Sequence, residues 1–276
     1  MNQTQPLTAN SSPGLAAFFY WGACAIAIAA YLLELFTLVA QTRLPGAPNG
    51  TEALLLLAST ATILASLGRQ LPLQNVFLAA GVIASVGAIA HGICTVASIP
   101  FGPLTFASAG PTIFGELPWS VPFLWVVAVL SSRGAARLIL RPWRKLKAYG
   151  FWWIGLTAVL TALFDFALEP FATQVKHFWV WRETKFPFTW HGMPLTNPIG
   201  WLVTTALILA FVTPALINKQ PRSRNSPPDF FPLILWVLAV LLFGIGAATQ
   251  NLWPPVVYCA AAAIVIGGFA IRGARW

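Results

Sequence analysis

The chain is a succession of apolar runs about 20 residues long, separated by short polar joints, and this spacing constrains its fold more than any other feature. A helix rises ~1.5 Å per residue, so roughly 20 mostly apolar residues cross the ~30 Å hydrocarbon layer of a bilayer. Eight such runs predict eight spans, at 15–41, 52–68, 75–98, 119–139, 149–168, 198–217, 230–249 and 253–271. With 58% hydrophobic and 8% charged residues, the expected class is an all-α, polytopic integral membrane helix bundle with two membrane-associated outer loops. Span two is short, and span four carries Arg133 and Arg137 near its end, where long basic side chains can snorkel to the interface. Residues 1–14 read as a disordered polar tail, 218–229 as a linker and 15–276 as one transmembrane domain. No internal repeat is legible.

A net charge of +9 invites comparison with nucleic-acid-binding chains, but the basic residues sit in short joints beside apolar runs. That is the mark of membrane orientation, and no nucleic-acid partner is expected. Arg133, Arg137, Arg141, Arg144, Lys145 and Lys147 cluster around the joint after span four, and Lys219, Arg222 and Arg224 follow span six. Both joints are therefore expected on the cytoplasmic side, together with both termini, leaving only Arg43, Lys176, Arg182 and Lys185 outside. Because the first fourteen residues lack Lys and Arg, span one is expected to remain as an anchor rather than to be cleaved. Cys24, Cys94 and Cys259 fall singly in separate apolar runs, as small buried hydrophobes do.

Acids are scarce, which makes their placement informative. Glu34 and His91 lie about two turns before the outer ends of spans one and three. Asp165 and Glu169 close the outer end of span five, and Glu116 lies in the outer joint before span four. Ionisable groups at membrane depth are costly and usually face an interior cavity, so these five are expected to line one outward-opening pocket. Asp165 and Glu169 are four residues apart and share a helix face. Two carboxyls in an apolar setting cannot both ionise easily, so one is expected to keep a proton near neutral pH. Stability alone is a poor reason for them, since acids at a helix C-terminus oppose its dipole. For His91 a buried ring satisfied by backbone is an equal alternative.

The stretch 165–201 adds His177, Trp179, Trp181, Trp190, His191, Asn197 and Trp201. Any one of these tryptophans fits an interfacial belt, but beside paired acids their faces suit the stabilisation of a cation where water is scarce. Neither histidine has metal-ligand spacing, and HExxH, CxxC and Asp-rich motifs are missing, so no metal and no cofactor is expected. The lack of Asp-rich clusters also argues against a prenyltransferase, which needs magnesium and diphosphate. The outer joint from Ile99 through Phe101 to Pro118 and the one carrying the tryptophans are apolar and rich in turn residues, and both are expected to fold back over the pocket.

The run from Asp165 to Trp201, with Trp179-Val180-Trp181 and Gly192-Met193-Pro194-Leu195-Thr196-Asn197-Pro198-Ile199-Gly200-Trp201, resembles the membrane carotenoid 1,2-hydratases of the carotenoid biosynthesis protein family. Phe101-Gly102-Pro103-Leu104-Thr105-Phe106, then Gly115-Glu116-Leu117-Pro118 and Trp125, resembles that family's other recurring segment. The chain departs from the pattern at Trp190-His191, Pro198 and Glu169, where the family has a tyrosine pair, an aromatic and Asp.

The resemblance implies a bacterial plasma-membrane enzyme that takes an acyclic carotenoid as partner, beside membrane lipid, and adds water across its terminal 1,2 double bond. Such hydration requires a proton on the less substituted carbon and capture of the resulting tertiary cation by water. A carboxylic acid of raised pKa is a suitable donor. The expected roles are Asp165 or Glu169 as donor, its partner with His191 or Glu116 on the water, Glu34 and His91 as further pocket groups, and Trp179, Trp181 and Trp201 as the cradle. Phe101, Trp190 and Asn197 complete the expected contacts. A cyclase, which protonates the same bond but lets the next alkene capture the cation, is the competing enzyme, and an isoprenoid lipid carrier the competing non-enzyme. A carrier would be expected to show symmetric interrupted spans.

Overall fold

The computed structural model describes residues 13–42, 50–107, 110–113, 115–183, 188–217 and 228–276. The expected tail 1–14 lies outside them except for Pro13 and Gly14, which already belong to the first helix. Most of the expected linker, with Lys219, Arg222 and Arg224, also lies outside, as do Arg43 and Lys185.

The helices are α1 (Pro13–Val39), α2 (Gly50–Gly68), α3 (Leu73–Ala97), α4 (Ser120–Ile139), α5 (Tyr149–Pro170), α6 (Thr196–Val212), α7 (Phe231–Thr249) and α8 (Trp253–Ala274). Among the described residues, seven helices are long and apolar enough to cross a membrane, and α6, at 17 residues, falls just short. The protein is a polytopic helical bundle, as the apolar runs require. Phe77, Val96, Phe151, Phe211 and Ile264 point outward, exposed, where lipid tails rather than water suit them.

Helix α4 is the hub, packed against α2, α3, α5, α7 and α8. It therefore turns its polar residues inward, and Ser131, Ser132 and Arg133 are all buried. Arg133 does not snorkel. Its guanidinium lies 4.0 Å over the Trp153 ring and donates to the Leu216 carbonyl at 2.8 Å, while Trp153 Nε1 donates to the Arg133 carbonyl at 3.1 Å. An aromatic face and a backbone oxygen replace water there.

Helix α5 also departs from expectation, for it runs through Pro170 and widens into a π-turn over Phe171–Val175. A proline nitrogen has no hydrogen to give the carbonyl four residues back. That orphan, the Phe166 oxygen, is taken by Trp190 Nε1 at 3.1 Å, so the helix continues without an unsatisfied group.

Both joints at this end of the bundle carry short strands: β1 (Leu104–Phe106), β2 (Thr112–Ile113), β3 (Leu117–Pro118), β4 (Trp179–Trp181), β5 (Thr189–Trp190) and β6 (Met193–Pro194). Strand β2 pairs with β3, β5 with β6, and β1 with β4, all antiparallel. The order helix, strand, hairpin, helix thus occurs twice, as α3-β1-β2-β3-α4 and α5-β4-β5-β6-α6. The β1–β4 register places Thr105 opposite Val180, flanked by Leu104–Trp181 and Phe106–Trp179, and maps onto itself when the strands are exchanged. In each copy a proline ends the hairpin, another is the third residue of the next helix, and a tryptophan the sixth: Pro118, Pro122 and Trp125, then Pro194, Pro198 and Trp201. The two tryptophans stack at 3.9 Å with their planes 11° apart. A third-position proline costs nothing, because first-turn N–H groups lack helical partners. The duplication escapes a reading of sequence alone because so few side chains are shared.

The stack leaves no room beside it. A Cβ at Gly87 would sit 2.2 Å from the Trp125 ring, whereas one at Gly81, also in α3, would meet nothing within 4 Å. Gly87→Ala should destabilise the protein by about 1–3 kcal/mol through overpacking, while Gly81→Ala is neutral. Thermal unfolding of the two variants in detergent provides the comparison; equal melting temperatures would contradict the packing described.

Candidate functional site

Asp165 and Glu169 project from one face of α5 and are 0% and 2% exposed. Asn197, in the first turn of α6, holds them together: its Nδ2 donates to Asp165 Oδ2 at 2.7 Å and to Glu169 Oε1 at 3.0 Å. An amide nitrogen has two hydrogens, so the Met193 sulfur, also an acceptor at 3.0 Å, shares one of them with a carboxylate. The second oxygen of Glu169 accepts from Trp181 Nε1 at 2.8 Å and Trp179 Nε1 at 3.2 Å. Asp165 Oδ1 is buried without a hydrogen-bond partner among the described residues. Strand β4 is what aims both indoles at one carboxylate, since residues two apart on a strand share a face.

Beside this cluster, between α2, α4, α5 and α7, lies a cavity of about 310 Å³. Its walls are mostly apolar and include Leu55, Leu124, Phe164, Leu168, Phe171, Phe178 and Leu242. Trp179 belongs to both places, lining the cavity while donating to Glu169. A smaller space of about 40 Å³ adjoins along α1 and α7, sharing Leu55, Ser59, Val127 and Ala239 with the first.

Glu34 and Glu52 reach the cavity from the facing ends of α1 and α2. Lys176, just past the π-turn of α5, lies 2.7 Å from Glu34 Oε1 and also pairs with Glu52. Glu34 is 0% exposed. Burial works to lower the pKa of the Lys176 ammonium, but its hydrogen bonds to the two carboxylates outweigh that, and the net shift is upward. Lys176 is therefore a cation here.

The residues singled out from sequence do not all share one hollow. Asp165, Glu169, Asn197, Trp179 and Trp181 form the acid cluster, and of these Trp179 faces the cavity. Glu34 faces the same cavity at its charged end. His91, Phe101 and Trp201 form a separate buried stack with Trp125, whose Nε1 donates to His91 Nδ1 at 3.1 Å, with the His91 and Phe101 rings 4.3 Å apart. His91 Nδ1 also lies 3.2 Å from the Gly87 carbonyl one turn back, so the buried ring is held by its own helix backbone as well as by Trp125. Trp190 stacks on Phe166 at 4.6 Å and meets Tyr258. His191 occupies the β5–β6 turn with φ 48°, followed by Gly192 at 92°, the left-handed pair that a two-residue hairpin demands. It is half-buried, and burial pushes its imidazole pKa down. Glu116 is exposed on the turn between β2 and β3. Reach explains the division: hairpin turns carry their side chains away from the bundle, whereas helix ends and β4 point inward.

Sequence reasoning passed over Lys176, Glu52 and Phe171. Lys176 counted only as an outer basic residue, yet it sits seven residues past Glu169, close enough in sequence to have been weighed with the acids.

The shared donor makes a direct prediction. Asn197→Ala leaves two buried carboxylates short of a partner and should cost about 1–3 kcal/mol. Glu169→Gln added to it should recover part of that loss, a coupling read from a double-mutant cycle of thermal stability. Strict additivity of the two changes would show that Asn197 does not bridge the acids.

Comparison with curated proteins and with solved structures finds no match. The family model described as carotenoid biosynthesis protein matches residues 50–266, a stretch that contains α2 through most of α8, with both β-bearing joints and the whole acid cluster. The chain belongs to the carotenoid biosynthesis protein family.

Proposed function

We propose that the protein is a carotenoid hydratase, adding water across the terminal 1,2 double bond of an acyclic carotenoid by acid catalysis without a cofactor. The observation that carries this reading is the pair Asp165–Glu169, buried and bridged by Asn197 directly behind the wall of an apolar cavity. At about 310 Å³ the cavity is within the usual range for a small-molecule site and takes the tip of a long polyene rather than its whole length.

The two carboxyls share one proton, and the protonated member gives it to the less substituted carbon of the end-group alkene. Trp179 stands between the cavity and Glu169, so transfer requires this indole to turn aside and release its hydrogen bond. The positive charge then develops on the tertiary carbon, in a space walled by Trp179, Phe171 and Phe178, whose ring faces stabilise a cation where water is scarce. The cradle is thus Trp179 with phenylalanines. Trp181 holds Glu169, and Trp201 is committed to its stack with Trp125.

A carrier is the second reading, favoured by the duplicated α3–α4 and α5–α6 units. Against it, the proline in α5 is bridged by the π-turn and does not open the helix, and a carrier has no use for paired acids behind a wall.

The full chain, purified into lipid vesicles and supplied with an acyclic carotenoid, should yield a product heavier by one water. The variant Asp165→Asn with Glu169→Gln should lose at least about 100-fold in rate, while still inserting and folding. An isomer of unchanged mass would indicate a cyclase, and unchanged carotenoid a carrier. Full conversion by the double amide would remove the acid pair from the mechanism.

A further inference from the structure

The cavity has a second polar pole that the acid cluster leaves unexplained. Glu34 is fully buried and lines the cavity; one of its oxygens is paired with Lys176, and the other, Oε2, is buried with no hydrogen-bond partner among the described residues. An unsatisfied carboxylate oxygen in an apolar space is costly, and a buried polar atom without a protein partner is where an ordered water or a ligand hydroxyl belongs. Lys176 and Glu52 complete the arrangement: the ammonium lies between the two carboxylates, and Thr51 Oγ1 donates to the far oxygen of Glu52 at 3.0 Å.

We propose that Glu34 Oε2 holds and deprotonates the water that adds to the end group, with Lys176 and Glu52 as positioning residues. This inference rests on the hydratase reading and divides its two steps between two poles of one cavity. At the first pole a carboxylic acid of the Asp165–Glu169 pair gives its proton to the less substituted alkene carbon; the π electrons form the new C–H bond and leave the tertiary carbon positive. At the second, a lone pair of water forms the C–O bond, and one water proton passes to Glu34 Oε2. The sum is alkene plus water giving a tertiary alcohol, and the proton gained by Glu34 replaces, by exchange with solvent, the one the pair has lost. Separation of the poles serves the chemistry, because a single carboxylate cannot both keep its proton for the alkene and accept one from water.

Lys176 matters because it keeps Glu34 ionised and fixed in an apolar wall, where a lone carboxylate would not stay charged. Its place just after the π-turn couples the two poles through the backbone of α5, with Thr173 Oγ1 donating to the Glu169 carbonyl at 2.8 Å in the intervening turn.

The test separates protonation from water capture. Wild-type protein in vesicles made up in deuterium oxide should convert the carotenoid to a deuterated alcohol. Glu34→Gln should lower alcohol formation by at least about 100-fold, yet the recovered carotenoid should carry deuterium at the protonated carbon, because the pair still gives a deuteron and retakes a proton. Lys176→Met should shift the balance the same way, with exchange retained and alcohol reduced, and it serves if Glu34→Gln does not fold. Equal loss of exchange and alcohol in a folded Glu34→Gln or Lys176→Met protein would overturn the proposal, as would full alcohol formation by either. Should wild type form no alcohol, the hydratase reading itself fails, an outcome distinct from the variants' failure.

Discussion

Two carboxylates that share the amide of Asn197 are the costliest feature of this structure and the one around which the strand-bearing end of the bundle is built. An unpaired charge in a bilayer interior costs several kcal/mol. Here the cost is met by four hydrogen bonds to Asp165 and Glu169, supplied by Asn197, Trp179 and Trp181 from α6 and β4. To deliver those donors, α5 must extend past Pro170, β4 must turn back over the helix end, and α6 must begin with Asn197 facing α5. The π-turn belongs to the acid-bearing unit alone, whereas the short strands and the third-position proline are common to both units.

The two units share an element order but differ in the groups they bury. Val121 occupies in α4 the place that Asn197 occupies in α6, and α3 carries no acid where α5 carries two. The first copy uses its equivalent positions for packing: Trp125 stacks on Trp201 and gives its N–H to His91. The second copy keeps the tryptophan stack and adds the polar groups. The aromatic cluster of His91, Phe101, Trp125 and Trp201 draws on both halves, while Asp165, Glu169 and their donors come from the second alone.

Much of the fold is legible in the sequence because the bilayer imposes a length scale: each of the eight apolar runs is a helix, and the largest differences are that α5 continues past Pro170 into the π-turn and α6 stops at Val212. The acid pair is also legible, since a spacing of four fixes a shared helix face whatever surrounds it. What the sequence does not disclose is tertiary. Glu116 and His191 belong to the two joints expected over the acids, but hairpin turns place the first in the open and give the second a conformational task. Lys176 meets Glu34 and Glu52 across more than a hundred residues, a contact that no periodicity encodes. Arg133 likewise finds the Leu216 carbonyl and the Trp153 face only once α4 is seen to be the hub. The sense in which buried groups are costly is readable in one dimension; the identity of what offsets the cost is not.

The central claim is that a polyene tip enters the cavity between α2, α4, α5 and α7 and meets the acid pair past Trp179. The most direct measurement is an experimental structure of the full chain in lipid with an acyclic carotenoid bound. The account predicts the terminal double bond in the cavity, with Trp179 turned aside and a carboxyl oxygen of Asp165 or Glu169 about 3–3.5 Å from the less substituted carbon. A carotenoid lying on the lipid-facing surface, or seated with its end groups remote from both carboxylates, would contradict it.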